Sequence, residues 1–266
     1  MPTLTRSDDL SIFYQTYGTE QQNPSIVFLN GMTQTTRHWV THGRDLKDDF
    51  HVVTYDARGQ GRSDIPDEAP SLDDHVRDLT ALLDHLEIDR AHLVGFSHGA
   101  RIALSFAADV ADRIDHLVLT SATATPTARA RLIVRAWGEI LDSGGLEALA
   151  WASLSDIVGN RFLENNEAII DNIIRASVDR NTEEGTRRLL EGLQQFDPLD
   201  DIARRVEAPT RVLAATDDPL VTPDGAAELA ELCGGTHELV EDCGHTIPIE
   251  RPDDFQRLVR EFLPST

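Results

Sequence analysis

Residues 93–107, LVGFSHGARIALSFA, pass from an unbroken apolar run to helical periodicity within the five residues Gly95-Phe96-Ser97-His98-Gly99. A buried strand that turns at once into a helix leaves little room at the bend, and flanking glycines remove the side chains that would clash there. The serine of this G-x-S-x-G turn is then presented above the sheet, with the following amide and the positive end of a helix beside it. Such a setting suits a nucleophile whose attack creates an oxyanion in need of donors.

The chain on either side continues the alternation. SIVFLNG (25–31), HVVTYDA (51–57), AHLVGFS (91–97), DHLVLTSA (115–122) and TRVLAATD (210–217) are short, β-branched and bounded by turn residues, which predicts buried strands. SLDDHVRDLTALLDHLEI, from Ser71, opens with capping residues and carries apolar positions at helical spacing. The helix after Ser97 is predicted to run to about Ala111. Strands alternating with helices indicate an α/β fold with a mostly parallel central sheet flanked by helices. Between residues 123 and 199 the alternation stops, and helical segments are predicted around 128–141, 145–151, 166–178 and 182–195. The expected organisation is a core of residues 1–122 and 200–266 with a helical cap insertion, 123–199, over the C-terminal edge of the sheet.

The chain has 266 residues, enough for a sizeable core. Its 46 acidic residues against 24 basic ones give a formal charge of −22, and Lys47 is the only lysine. A surface this negative repels phosphate backbones and anionic membranes, so a small-molecule substrate is the expected partner, with no nucleic acid and no membrane. Two origins of the acidity stay open: a high-salt habitat, in which mobile ions screen self-repulsion, and a base composition that substitutes arginine for lysine. With no apolar run of spanning length and no secretory leader, a cytoplasmic location is expected. Cys233 and Cys243, the only cysteines, are too few for a disulfide framework and lack metal-ligand spacing; isolated thiols are expected.

A serine hydroxyl needs a base before it attacks, and the base needs a carboxylate to orient it. HELVED followed by CGHTIPIERPDDFQRLVREFL sets His245 in a Gly-His loop between a short strand and a final amphipathic helix. Of the ten histidines, only this one has that setting. His38, His42, His75 and His85 are expected on surfaces or helix faces, and His116 at a strand start. The carboxylate is sought on a loop after a strand and ahead of the histidine, where VLAATDDPLVTP offers Asp217 and Asp218.

With these elements in this order the chain resembles the α/β-hydrolase superfamily, specifically its capped branch of esterases, lactonases and cofactor-free haloperoxidase-like proteins. The resemblance covers nearly the whole chain outside the cap. In that family a glycine stands three positions before the acid; Ala215 occupies its place here, which implies Asp218, with Asp217 the alternative. FLNGMTQTTRHW (28–39) resembles the family's HG loop, with Asn30 where histidine is usual. The resemblance gives the backbone N–H groups of Met32 and His98 the oxyanion hole. YDARGQGRSD (55–64) resembles a turn that is chiefly structural in the family, so Arg58 and Ser63 are not catalytic candidates. Haloalkane dehalogenases and epoxide hydrolases look similar but carry aspartate where Ser97 stands.

The resemblance implies Ser97 as nucleophile, His245 as base and Asp218 as its orienting acid. The implied reaction is acyl transfer to water, with no metal and no organic cofactor. An esterase or lactonase on a small, moderately apolar molecule is the leading expectation. A lyase or C–C bond hydrolase using the triad as a base is the second, because menaquinone-pathway synthases of this fold carry an arginine similar to Arg101. A non-catalytic ligand-binding protein is the third. Trp137, Trp151, Phe162, Leu163, Ile169 and Ile170 are apolar cap residues whose helical spacing assigns most of them to the cap's own core and leaves some for an apolar pocket wall.

Overall fold

The computed structural model describes residues 2–6, 9–19, 23–195 and 197–265. One eight-stranded sheet organises them: β1 (Thr3–Thr5), β2 (Ser11–Tyr17), β3 (Ser25–Leu29), β4 (His51–Tyr55), β5 (Ala91–Phe96), β6 (Ile114–Thr120), β7 (Thr210–Ala215) and β8 (Thr236–Val240). The spatial order is β1-β2-β4-β3-β5-β6-β7-β8. The β1–β2 and β2–β4 pairs are antiparallel and all the others parallel.

The five apolar runs predicted as strands are β3 to β7. Every residue of β3, β4 and β5 is buried, because helices cover both faces of a parallel sheet. Alternate side chains divide between two cores. Val27, Leu29, Val53, Tyr55 and Leu93 join one, while Ile26, Phe28, Val52, Val94 and Phe96 join Trp39 and Phe255 in the other.

The helices are α1 (Val40–Leu46), α2 (Leu72–His85), α3 (His98–Asp109), α4 (Ala128–Ile157), α5 (Asn160–Asn166), α6 (Ile170–Arg180), α7 (Glu183–Gln194), α8 (Asp200–Ala203), α9 (Pro223–Leu232), α10 (Ile247–Glu250) and α11 (Pro252–Phe262). Ser71 starts α2 with a capping box: its Oγ accepts from the Asp74 N–H at 3.2 Å, and the Asp74 carboxylate accepts from the Ser71 N–H at 2.9 Å.

Helices α4 to α7 occupy the segment between β6 and β7. The two helices expected at 128–141 and 145–151 are joined in α4, which bends at Gly145, where φ is 74°. A glycine tolerates that left-handed conformation, so the chain bends there and resumes its helix. Ala150, Leu154 and Ile174 build a small cluster within α4 and α6, whereas Ala130, Val134, Trp137 and Leu141 belong to the main core. Among the described residues no helix is long and apolar enough to cross a membrane.

Candidate active site

The turn from β5 into α3 is as tight as its glycines imply. A Cβ on Gly95 would press within 2.5 Å of the Ala100 Cα, and one on Gly99 would strike the Leu29 carbonyl. Ser97, between them, has φ 52° and ψ −114°, a conformation that non-glycine residues seldom adopt. Its Oγ lies 2.8 Å from His245 Nε2, and His245 Nδ1 lies 2.7 Å from Asp218 Oδ2. An ionised carboxylate only accepts, so Nδ1 carries the proton and Nε2 faces the serine as acceptor.

Asp218 is fixed from its other oxygen: Oδ1 accepts from the Leu220 N–H at 2.8 Å and the Val221 N–H at 3.0 Å. Its neighbour Asp217 is exposed, and its backbone N–H donates to the Cys243 carbonyl. The geometry therefore pairs His245 with Asp218 and leaves Asp217 outside.

Met32 and His98 line the same cavity as Ser97. Neither backbone N–H donates to another described residue, and that of His98 stands at the N-terminus of α3, where helical amides lack partners. The loop carrying Met32 is braced from behind. Gln60 Nε2 donates to the Gly31 carbonyl at 2.7 Å, Asn30 Nδ2 to the Tyr55 carbonyl at 2.8 Å, and Trp39 Nε1 to Asn30 Oδ1 at 2.7 Å. Asn30 thus supplies one donor and one acceptor behind the loop. Arg58 holds Asp78 through two contacts of 2.7 Å, and Ser63 Oγ donates to the Asp56 carbonyl, both away from the reacting atoms.

Of the histidines expected on surfaces or helix faces, His42 lies on α1 and His75 on α2, and three of the four are turned inward. His75 is buried with its Nε2 3.3 Å from His98 Nε2. His42 is buried beside α11 and α10, contacting Gln256 and the Pro248 carbonyl. His38 lines the cavity above Ser97. Apolar neighbours on helix faces that look outward in the sequence become interior once a second helix packs on them. Burial, and then Arg101, drives the His98 pKa down to about 3. Burial drives His38 to about 4 and His75 well below its ordinary value. His85 is exposed and His116 lies near the start of β6.

Two residues that the sequence does not single out hold the His245 loop. Ser121, directly after β6 with φ 53°, donates from Oγ to the His245 carbonyl at 2.6 Å. Glu250 accepts at Oε2 from the Gly159 and Gly244 N–H groups, at 2.8 and 3.0 Å, and at Oε1 from Thr246. The Ser121–His245 and Glu250–Gly159 contacts span 124 and 91 positions of the chain, which no spacing pattern reveals.

Above Ser97 lies a cavity of about 460 Å³, bounded by the sheet's C-terminal loops and by α4 to α7. Of the six apolar cap residues singled out in the sequence, Trp137 and Phe162 line it. Leu163 and Ile170 pack within the α4–α6 cluster, and Trp151 and Ile169 are exposed. Arg101 also lines the cavity. Cys233 and Cys243 are buried free thiols, and burial pushes Cys233 up to about 11. Among the described residues no three His, Cys, Asp or Glu side chains converge as a metal site requires.

The chain is similar to 3-oxoadipate enol-lactonase 2 of Acinetobacter baylyi, with 26% identity over 265 residues that cover 98% of this chain and 96% of the relative. It is 29% identical to the putative carbamate hydrolase RutD of Pseudomonas syringae over 243 residues, covering 90% and 93% of the two chains. The crystal structure of the enol-lactonase from Burkholderia xenovorans superposes with a TM-score of 0.90 at 27% identity, covering 98% of this chain and 99% of that one. The family model for the alpha/beta hydrolase fold matches residues 24–252, from the start of β3 to the start of α11. Sheet order, the strained serine turn and this match agree, and the chain belongs to the α/β-hydrolase fold family.

Proposed function

We propose that the protein is a serine hydrolase that cleaves a carboxylic ester or lactone of a small molecule through an acyl-enzyme, with residues 123–199 as a cap over the site. The observation that carries this reading is the unbroken chain from Ser97 Oγ through His245 to Asp218, with contacts of 2.8 and 2.7 Å, at the floor of the cavity. The enol-lactonase and carbamate hydrolase relatives support a hydrolytic reaction at a carbonyl carbon.

His245 Nε2 takes the Ser97 proton as Oγ bonds to the carbonyl carbon. The carbonyl electrons move onto oxygen, where the Met32 and His98 N–H groups donate; each such donor contributes on the order of a few kcal/mol to lowering the barrier. Asp218 accepts from Nδ1–H throughout and stabilises the imidazolium. The tetrahedral intermediate collapses, the alkoxide leaves, and Nε2 returns the proton to it. For a lactone that alcohol stays tethered to the acyl group. Water then enters, His245 removes its proton, and the same donors serve the second intermediate before the acid departs.

A series of p-nitrophenyl esters from acetate to octanoate tests the reading. Wild type should turn over with an optimum set by the cavity, Ser97→Ala should lose at least about 10³-fold in kcat, and mass spectrometry should find the acyl adduct on Ser97. Turnover that survives Ser97→Ala refutes it. Arg101 in the cavity wall favours a second reading, a lyase or C–C hydrolase using His245 as base. That reading requires turnover of a non-ester substrate without an acyl adduct.

A further inference from the structure

The cavity wall has a charge pattern opposite to that of the chain. The protein has 46 acidic residues, yet among the described residues no aspartate or glutamate lines the cavity, while Arg101 and Arg180 do. Carboxylates bonded to wall residues or their loops are already engaged: Asp156 accepts from the Trp137 indole at 2.8 Å, Asp218 from His245, and Glu250 from the loop amides. Elsewhere arginines take the surplus carboxylates, as Arg58 does with Asp78, Arg113 with Asp84 and Arg188 with Glu184.

Several exposed arginines have no such partner either, but among the half-buried arginines of the described residues Arg180 is the exception. It is half-buried at the C-terminus of α6 and forms no hydrogen bond or ion pair within the described residues. Its charged neighbours are Arg37, which repels it, and the exposed Asp179. A partly desolvated guanidinium beside a second cation gains most from an anion arriving from the cavity. Its position is fixed relative to the reacting atoms. Asn181 Nδ2 donates to the Thr33 carbonyl at 2.9 Å, which docks the end of α6 on the loop that presents Met32. His38, on the same wall, has Nδ1 3.0 Å from the Thr35 backbone nitrogen, which leaves Nε2 for a ligand. The lining also includes Ile173, Trp137 and Phe162, apolar surface suited to a short methylene chain.

We propose that the substrate of this site is an ester or lactone bearing a free carboxylate remote from its scissile carbonyl, and that Arg180 recognises that carboxylate. This inference deepens the hydrolase reading and rests on it for the identity of the reacting group. Arg101 adds positive potential to the same cavity while donating to the Asp197 carbonyl at 3.5 Å. In a cavity walled by low-dielectric protein that potential is focused, so a locally positive pocket persists inside a molecule of formal charge −22.

The test compares mono-4-nitrophenyl glutarate with 4-nitrophenyl pentanoate, which share leaving group and acyl carbon count and differ in the terminal carboxylate. Wild type should favour the glutarate ester in kcat/KM by at least about tenfold in dilute buffer, mainly through KM. Arg180→Gln should abolish most of that preference, Arg180→Lys should restore part of it, and molar potassium chloride should weaken it in wild type. Equal or better turnover of the pentanoate ester by wild type overturns the proposal while leaving the hydrolase reading intact. So does a preference that Arg180→Gln leaves untouched or that only Arg101→Gln removes. If neither ester is turned over, the acyl-enzyme reading fails by itself, and calorimetric titration with glutarate decides. Saturable binding to wild type that Arg180→Gln loses supports the anion site, and its absence overturns it.

Discussion

At the scale of single residues, backbone strain marks the cavity and desolvation marks the buried histidines. Ser97, Thr33 and Ser121 all have φ between 52° and 62°, and all three line the cavity. Backbone held in that region costs on the order of 1–3 kcal/mol per residue and persists only where the surroundings over-determine it. Desolvation acts on the histidines. His98 is held near 3 and His38 near 4, each chiefly by burial, and burial also lowers His75, His42 and His92. In the unfolded chain each titrates near ~6.5, so below that pH the unfolded chain binds protons that the folded one refuses. Their contribution is complete above about pH 6.5 and is lost as the pH falls toward the folded values. Asp56, whose pKa burial raises, works in the opposite sense, but only upward from its ordinary carboxylate range. The melting temperature should therefore fall between pH 7.5 and 5, and His75→Gln should flatten that slope, each such histidine supplying up to about 1.4 kcal/mol per pH unit. A melting temperature constant over this range refutes the argument.

At the scale of elements, the site depends on a carboxylate that never meets substrate. Glu250, the last residue of α10, joins the Gly244–Thr246 loop to Gly159 at the head of α5, so one side chain ties His245 to the segment above it. Glu250→Ala leaves the Gly159 and Gly244 N–H groups without an acceptor, while that of Thr246 keeps the Ile157 carbonyl at 3.2 Å, and should cost about 1–3 kcal/mol in stability, read by denaturant melts. Because the lost contacts position His245, kcat should fall more than KM rises; an unchanged kcat would reduce Glu250 to a fold-stabilising role. Gly145→Ala should cost roughly 1–3 kcal/mol, since φ 74° with ψ −173° is a backbone region essentially reserved for glycine. These two positions also show what the sequence carries. Strands β3 to β7 are legible because burial on both faces makes continuous apolar runs. The outer strands β1 and β2 pair antiparallel at the sheet edge and mix polar with apolar residues, so TLT and SIFYQTY carry a weaker signal. The Gly144-Gly145 pair imitates a helix stop that the chain bends through. Motif context locates Ser97 and His245, whereas the adjacent Asp217 and Asp218 separate only when the loop after β7 shows which one turns inward. Ser121, Glu250 and the His75–His98 contact join elements distant in the chain and have no local signature.

At the scale of the whole molecule, two electrostatic effects should respond to salt with opposite sign. A formal charge of −22 on a chain with a pI near 4.7 opposes compaction through self-repulsion. Exposed pairs such as Arg90–Asp115 and Arg257–Glu261 return little, because surface ion pairs contribute about 0–1 kcal/mol each. The Debye length falls from about 10 Å at 0.1 M to about 3 Å at 1 M, which screens distant like charges before it weakens close contacts. Thermal melts in potassium chloride should therefore rise by a few degrees from dilute buffer, roughly 2–4 °C for each kcal/mol of relieved repulsion at this size. Simple screening saturates by a few tenths molar. A gain that continues to molar salt points instead to adaptation to a saline habitat, and a flat or falling melting temperature shows that the ion pairs outweigh the net charge. Over the same titration the preference for a carboxylate-bearing ester should decline, because the attraction between Arg180 and its anion is screened and chloride competes for the guanidinium. Stability that rises while anion preference falls separates the field of the whole surface from the field inside the cavity. If both quantities moved together, a single global field would explain them, and the cavity would have no charge pattern of its own.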